Sequence, residues 1–169
     1  MSPRDSAPPI TPSRPSTPAG TVLILLLFAT FLPSHVAAQT SLTISRDLDI
    51  SFGAVVPGPS SGTVTVTPEG ARSSSGGVSL AGSAGVSPST FTVSGEPALA
   101  FSIVLASSTT LSDGSSTMTV DSFTSSPEST GTLDVSGNRE IRVGATLHVA
   151  AAQASGSYAG GFSVMVAYN

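Results

Sequence analysis

Few residues of this chain have types and spacings suited to catalysis. Histidine is the side chain that most readily transfers protons near neutral pH, and His148 lies on the polar side of an alternating segment, as a solvated strand residue would. The serine of Gly76-Gly77-Val78-Ser79 lacks the glycine of a nucleophile elbow, because Ala81 stands two positions later. We therefore predict no catalytic residue, and a hydrolase that uses His148 stays as an alternative.

Two carboxylates, Asp47 and Asp49, fall on one face of an extended segment and could contribute to a calcium site. Calcium takes about six to eight oxygen ligands, and no neighbouring glycine-bearing loop supplies the others. Charged side chains on an outer strand also keep it from pairing with the wrong partner. We interpret the two aspartates in this second way and predict no metal site and no cofactor.

The charge of the chain limits its partners. The formal net charge is −4, and the sequence contains neither lysine nor cysteine. Nucleic acids and anionic membranes attract basic surfaces, so neither is an expected partner. Without disulfides, the fold must be held by packing and by strand pairing.

The segment Val22–Leu32 is an uninterrupted apolar run preceded by two arginines. A membrane-spanning helix needs about twenty apolar residues, so this run has the length of a signal-peptide core instead. Val36 and Ala38 occupy the two positions that a signal peptidase reads, which places the cut between Ala38 and Gln39.

This pattern predicts two parts. Residues 1–38 form a signal peptide with a Ser- and Pro-rich n-region, and residues 39–169 form one exported domain. The mature protein would then reside in the periplasm, at the cell surface or outside the cell, with no stable membrane span.

Alternating apolar and polar residues dominate the mature chain, with clear rows at Leu99–Leu105 and Ile141–Val149. Turn signals such as Pro57-Gly58-Pro59 separate these rows, and residues 71–89 are so rich in Gly and Ser that only a weak strand around Val78–Leu80 is expected. Short alternating segments joined by turns predict an all-β, immunoglobulin-like, two-sheet sandwich of about seven to nine strands.

The first extended segment has two candidate uses. One face of it carries Leu42, Ile44, Leu48, Ile50 and Phe52. It could be the first strand of the domain itself, which is the use we expect. It could also be donated to a like subunit, since an extended segment can complete another sheet by β-augmentation.

The end of the chain is its most specific feature. A glycine lies fourteen residues from the end and a tyrosine is penultimate, with alternating apolar residues between them: Gly156, Tyr158, Phe162, Val164, Val166 and Tyr168. This arrangement resembles the C-terminal strand of subunits assembled by the chaperone–usher pathway.

A broader resemblance covers nearly all of the mature chain. Five elements occur in order: Ile50–Pro57, Gly62–Val66, Phe91–Gly95, Val143–Leu147 and Tyr158–Val164. Together they resemble the bacterial exported domain-of-unknown-function family 4402, which is similar in style to pilin and spore-coat-U-type sandwich proteins. The resemblance implies export and a β-sandwich, and it brings no catalytic residues. The cysteine pair of many pilins is missing here.

These observations favour an exported, non-enzymatic structural or surface-associated protein, with a pilus-like subunit as its most specific form. Its expected partners are like subunits, reached by self-association or strand exchange. The alternative is a soluble periplasmic or extracellular binding module that uses the Gly/Ser-rich loops at 71–89 and 106–116.

Overall fold

The computed structural model describes residues 40–169, apart from the side chains of residues 83 and 84. The predicted signal peptide and its cleavage site lie outside these residues, so the structure does not bear on them. No helix in the described part of the chain is long and apolar enough to cross a membrane.

The all-β prediction is confirmed. Residues rich in Val, Thr and Ser favour the extended conformation, and the described chain forms ten strands, one more than the largest number predicted. They are β1 (Thr43–Leu48), β2 (Ser51–Val66), β3 (Arg72–Ser87), β4 (Ser89–Ser94), β5 (Ala100–Leu105), β6 (Ser108–Ser112), β7 (Thr117–Ser126), β8 (Thr130–Thr132), β9 (Asn138–Val149) and β10 (Val164–Tyr168).

The strands form two sheets, and all of their pairings are antiparallel. The larger sheet has seven strands, in the order β1-β4-β9-β2-β3 with β7 and then β6 added on β9. The smaller sheet has the order β10-β5-β8. After β4 the chain passes repeatedly between the two sheets, and its last crossing, between β9 and β10, places the C-terminal strand on the smaller sheet.

Strand β9 is the centre of the larger sheet. β7 pairs along one edge of it, across Arg142–His148. β4 and β2 must therefore follow one another along its opposite edge, where they pair with residues 138–143 and 145–149. The gap between them falls at Gly144, where a Cβ would clash with the backbone of Val66 and Thr67. Because glycine has no Cβ, the end of β2 can lie directly against β9 at this position.

Two apolar clusters fill the interior. The first, which we call the sheet-junction cluster, lies between the sheets and joins Phe91 and Ile141 of the larger sheet to Phe101 and Ile103 of the smaller one. The second, which we call the hairpin cluster, is built from β2, β3, β7 and β9, and its buried members are Phe52, Val64, Val66, Val78, Val120, Ala145, Leu147 and Val149. The alternating row predicted for β9 supplies residues to both.

The β2–β3 hairpin folds over the hairpin cluster. Phe52 and Val64 lie in the same strand and would be about 40 Å apart if it were straight, yet both belong to this cluster. The pairing of β2 with β3 shifts register between Pro57 and Gly62, and such irregularities bend a strand. The proline-glycine signal at Pro57 therefore marks a bend inside β2, where the sequence predicts a turn between strands.

The prediction that residues 71–89 are mostly loop was wrong. They form β3, which pairs with β2 from Arg72 to Ser87. Glycine and serine favour a strand only weakly, but a long preceding strand supplies partners for their backbone groups. At Gly77 any Cβ would clash with the carbonyl oxygen of Ser60, so glycine here allows the two strands to approach each other.

Candidate functional site

A cavity with a volume of about 540 Å³ opens to solvent beside the hairpin cluster. We call it the cleft. Its first wall is formed by Ile50 and by the start of β2, with Phe52 and Val55. Its floor includes Leu111, Met118, Val120 and Leu147. Its second wall is residues 154–162, here called the C-terminal segment.

The first wall exposes a strand edge to the cleft. Residues 49–55 all line it, and consecutive side chains of a strand point to opposite faces, so the backbone itself must border the cavity. From Ser51 to Pro57, β2 pairs with β3 on one edge, while its pairing with β9 begins only at Gly62. Within residues 40–169, the other edge of this half of β2 has no strand partner.

The C-terminal segment forms the opposite wall and is held on one side only. Ser112 and Ala159 exchange two backbone hydrogen bonds, of 2.9 Å and 3.0 Å, and the Thr109 hydroxyl donates to the carbonyl oxygen of Gly161. These bonds tie the segment to β6. Among the described residues, its other edge pairs with no strand. The cleft therefore lies between two backbone edges that pair with no strand of the described residues. On the first wall, the carbonyl oxygens of Phe52 and Ala54 accept hydrogen bonds from the Arg72 guanidinium.

The charged groups at the cleft neutralise each other. Arg46 and Asp49 line its rim and form an ion pair with an N–O distance of 2.8 Å, and both side chains are largely exposed. The neighbouring Asp47 accepts a hydrogen bond from Thr92 at 2.7 Å. The two aspartates thus have separate partners, and the described residues contain no group of three or more metal-ligating side chains.

Gly156 and Tyr158, predicted for the C-terminal strand, lie outside β10. Gly156 packs against Asp113 so closely that a Cβ would lie 2.5 Å from the carboxylate oxygen. Backbone N–H groups of Ser116 and Ser115 donate to Asp113 and lower the pKa of its carboxyl group. The Tyr158 hydroxyl donates to the carbonyl oxygen of Ala154 at 2.9 Å, which fixes the turn that begins the C-terminal segment.

Phe162 connects the cleft to the sheet junction. Its ring stacks on Phe123 with centroids 4.7 Å apart and meets Phe91 edge-on at 6.0 Å. Beyond it, Val164 and Val166 of β10 pack against the sheet-junction cluster. The predicted strand is therefore divided: residues before Phe162 border the cleft, and those after it form a regular strand on β5.

Tyr168 fastens the two ends of the described chain to each other. Its hydroxyl donates to the carbonyl oxygen of Thr40 at 2.9 Å and accepts from the backbone N–H of Glu96 at 2.6 Å. Thr40 in turn donates its N–H to the Glu96 carboxylate at 3.3 Å. We call this arrangement the terminal clasp. It gives the penultimate tyrosine a structural role inside the domain.

The predicted first row is shared between two strands and two clusters. Leu42 and Ile44 pack on the sheet-junction cluster, whereas Ile50 and Phe52 pack in the hairpin cluster. Leu48 is 48% exposed, because a register shift between Arg46 and Leu48 interrupts the alternation. The single apolar face predicted for this segment is therefore wrong at Leu48. Strand β1 pairs with β4 of the same domain.

His148 has a carboxylate partner that sequence reasoning missed. Its Nε2 lies 2.9 Å from Oδ1 of Asp121 on the neighbouring strand β7, and this hydrogen bond lowers the pKa of Asp121. The two residues are brought close by the β7–β9 register, which no local motif encodes. Both side chains are partly exposed. In residues 40–169 no hydroxyl group is hydrogen-bonded to His148, as an activated nucleophile would be.

Comparison with known proteins gives one family match. The family described as a domain of unknown function, DUF4402, matches residues 42–168. The matched range includes every strand and both walls of the cleft. No curated protein and no solved structure matches the chain.

Proposed function

The chain belongs to the DUF4402 family, and on that premise we propose that it is an exported, non-enzymatic structural protein of the bacterial cell surface. The observation that carries the proposal is the chemistry of the cleft. Its lining offers apolar side chains and unpaired strand edges, which are the means of protein–protein assembly. Export itself rests on the predicted signal peptide at residues 1–38.

The positions of the titratable groups support a structural role. Arg46 and Asp49 at the rim form an ion pair with each other. The Asp121–His148 pair lies on the outer face of the larger sheet, because the neighbouring Leu147 and Val149 point inward and are buried. This pair and the cleft lie on opposite faces of β9. A catalytic pair acts on a substrate that a cavity holds against it, and the shallower cavity that His148 lines, of about 340 Å³, is not lined by Asp121.

A pilus-like subunit would assemble by strand donation, which needs a free extended segment and a groove to receive it. The cleft is a candidate groove. The candidate donor, Leu42–Leu48, is paired with β4, which favours the role of the domain's own first strand.

The alternative of a binding module now depends on the cleft. The first of the two Gly/Ser-rich stretches proposed to recognise a ligand is mainly β3, and the second contains β6. The volume of about 540 Å³ lies within the range of small-molecule pockets, about 300–1,000 Å³. A small apolar ligand is therefore the second candidate for this site.

The export part is tested by expressing the full chain in a bacterium, with a C-terminal tag, and fractionating the cells. We expect the tagged protein outside the cytoplasm and accessible to protease added to intact or outer-membrane-permeabilised cells. The matched control is Leu26→Arg, which places a charge in the apolar run and should retain the protein inside. Equal retention of both proteins in the cytoplasm would contradict the proposal.

The non-enzymatic part is tested on the exported protein with ester, amide and glycoside model substrates. We expect no turnover above that of buffer. Hydrolysis that disappears in His148→Ala, while the fold measured by circular dichroism is unchanged, would replace this proposal with the hydrolase.

A further inference from the structure

We propose that the cleft accepts an extended β-strand from a different protein, so that this chain acts as a strand acceptor. The inference rests on the proposed function as an exported structural protein and names the kind of partner that it binds. Four observations lead to it: the open edges, the apolar floor, the position of the N-terminus and the charge of the domain.

The shape and the lining of the cleft favour an extended peptide as its ligand. An added strand hydrogen-bonds through its backbone and places alternate side chains on the apolar surface beneath it. The half of β2 from Ser51 to Pro57 has one edge free for such pairing. The floor beneath is apolar, with Leu111, Met118 and Val120. A strand with apolar side chains at alternate positions could pair with the edge of β2 and pack on this floor at the same time.

The first described residues of the chain are engaged away from the cleft. Thr40 is held in the terminal clasp by Tyr168 and Glu96. Strand β1 separates it from the cleft residue Asp49, and its six residues span about 20 Å. These first described residues are therefore committed to the terminal clasp and to β1, and they do not lie in the cleft.

Within residues 40–169, a second copy of this chain has no spare strand to offer. At one end, Leu42 and Ile44 pack in the sheet-junction cluster and β1 pairs with β4. At the other end, β10 pairs with β5, and Tyr168 closes the clasp. Releasing either terminal strand would open the core of the donor, whereas a protein with a free extension loses nothing. This difference favours a partner of another sequence.

The net charge of the domain indicates which charged residues the donated strand should carry. Residues 39–169 carry nine carboxylates against four arginines and no lysine. Opposite charge steers association, so the donated strand should have basic residues beside its alternating apolar ones.

The test uses the mature protein purified after export and two synthetic peptides of about nine residues. Both peptides contain the same valine, threonine and flanking lysine residues, and only one has them in strict alternation. Binding is measured by fluorescence anisotropy, and protection of β2 backbone amides by hydrogen exchange. We expect the alternating peptide to bind and to protect residues 51–57, and the scrambled peptide to do neither.

Two neighbouring residues provide matched variants. Val55 lines the cleft, whereas Val56 is 52% exposed and lies outside its lining. Val55→Arg should weaken binding of the alternating peptide by at least about tenfold, equivalent to about 1.4 kcal/mol, and Val56→Arg should leave it unchanged. If Val55→Arg does not fold, protection of residues 51–57 in the unsubstituted protein decides.

Three results would overturn the inference. Failure of the alternating peptide to bind would remove the acceptor site, and equal binding of both peptides would indicate a general apolar ligand site. Concentration-dependent oligomers in size-exclusion chromatography that the peptide disperses would make a second copy the occupant. None of these depends on where the protein is located, so export can succeed while the acceptor role fails.

Discussion

The terminal clasp gives the sharpest test of how the domain is held together. Replacing Tyr168 with phenylalanine keeps the ring against the sheet-junction cluster and removes only the hydroxyl, which donates to the Thr40 carbonyl oxygen and accepts from the Glu96 N–H. The Thr40 bond is exposed, so water replaces it at little cost. The Glu96 N–H is partly buried and loses its partner.

The expected loss follows from these two environments. A typical hydrogen bond contributes about 1 kcal/mol net, and a buried group left without a partner costs about 1–3 kcal/mol. We therefore expect Tyr168→Phe to lower the free energy of unfolding by about 1–2 kcal/mol. With a urea m-value of about 2 kcal/mol/M, the unfolding midpoint should fall by roughly 0.5–1 M with m unchanged.

The assay is urea unfolding of the mature protein, followed by circular dichroism. The matched control is Tyr158→Phe, whose hydroxyl bonds with Gln153 and Ala154 nearby in the chain. Because these bonds do not join the two ends of the domain, the control should lose less than about 1 kcal/mol. A Tyr168→Phe midpoint equal to that of the unsubstituted protein, or to that of the control, would refute the clasp.

Two further predictions concern close packing and acid stability. Gly77→Ala should lower the urea midpoint, because its Cβ would clash with the Ser60 carbonyl oxygen. The control Gly161→Ala should leave the midpoint unchanged, because no atom lies within 4 Å of its added Cβ. Equal midpoints for the two variants would contradict the packing described for β2 and β3. The pKa of Asp121 is lowered from its ordinary value of 3.8 by the hydrogen bond to His148, so its stabilising contribution is present above that pH and is lost as the pH falls through the lowered value. Unfolding midpoints measured from pH 6 to pH 2 should fall less steeply in Asp121→Asn, and identical slopes would contradict this assignment.

Local alternation predicted much of the fold. The row from Ile141 to Val149 is buried residue by residue at alternate positions, because β9 lies at the centre of the sheet and its periodicity reports directly on burial. The predicted row from Leu42 to Phe52 is not buried as one continuous face. A register shift in β1 and the start of a second strand at Ser51 divide an apparently continuous row, and neither has a local signal.

The site was harder to predict than the fold. Glycine and serine suggested loops at residues 71–89, yet long-range pairing with β2 makes this stretch a strand. The cleft exists because the β2–β3 hairpin bends back toward the C-terminal segment, about a hundred residues away in the chain. The Asp121–His148 pair likewise depends on strand register. Such juxtapositions follow from topology, which alternation alone does not specify.

We propose that the exported domain begins at Gln39, next to Thr40, which the terminal clasp holds against Tyr168. Intact-mass measurement and N-terminal peptide mapping of the protein recovered outside the cytoplasm test it most directly. We expect a chain that starts at Gln39 and contains no peptide from residues 1–38. Recovery of folded protein that keeps residues 1–38, or that starts well inside β1, would contradict it.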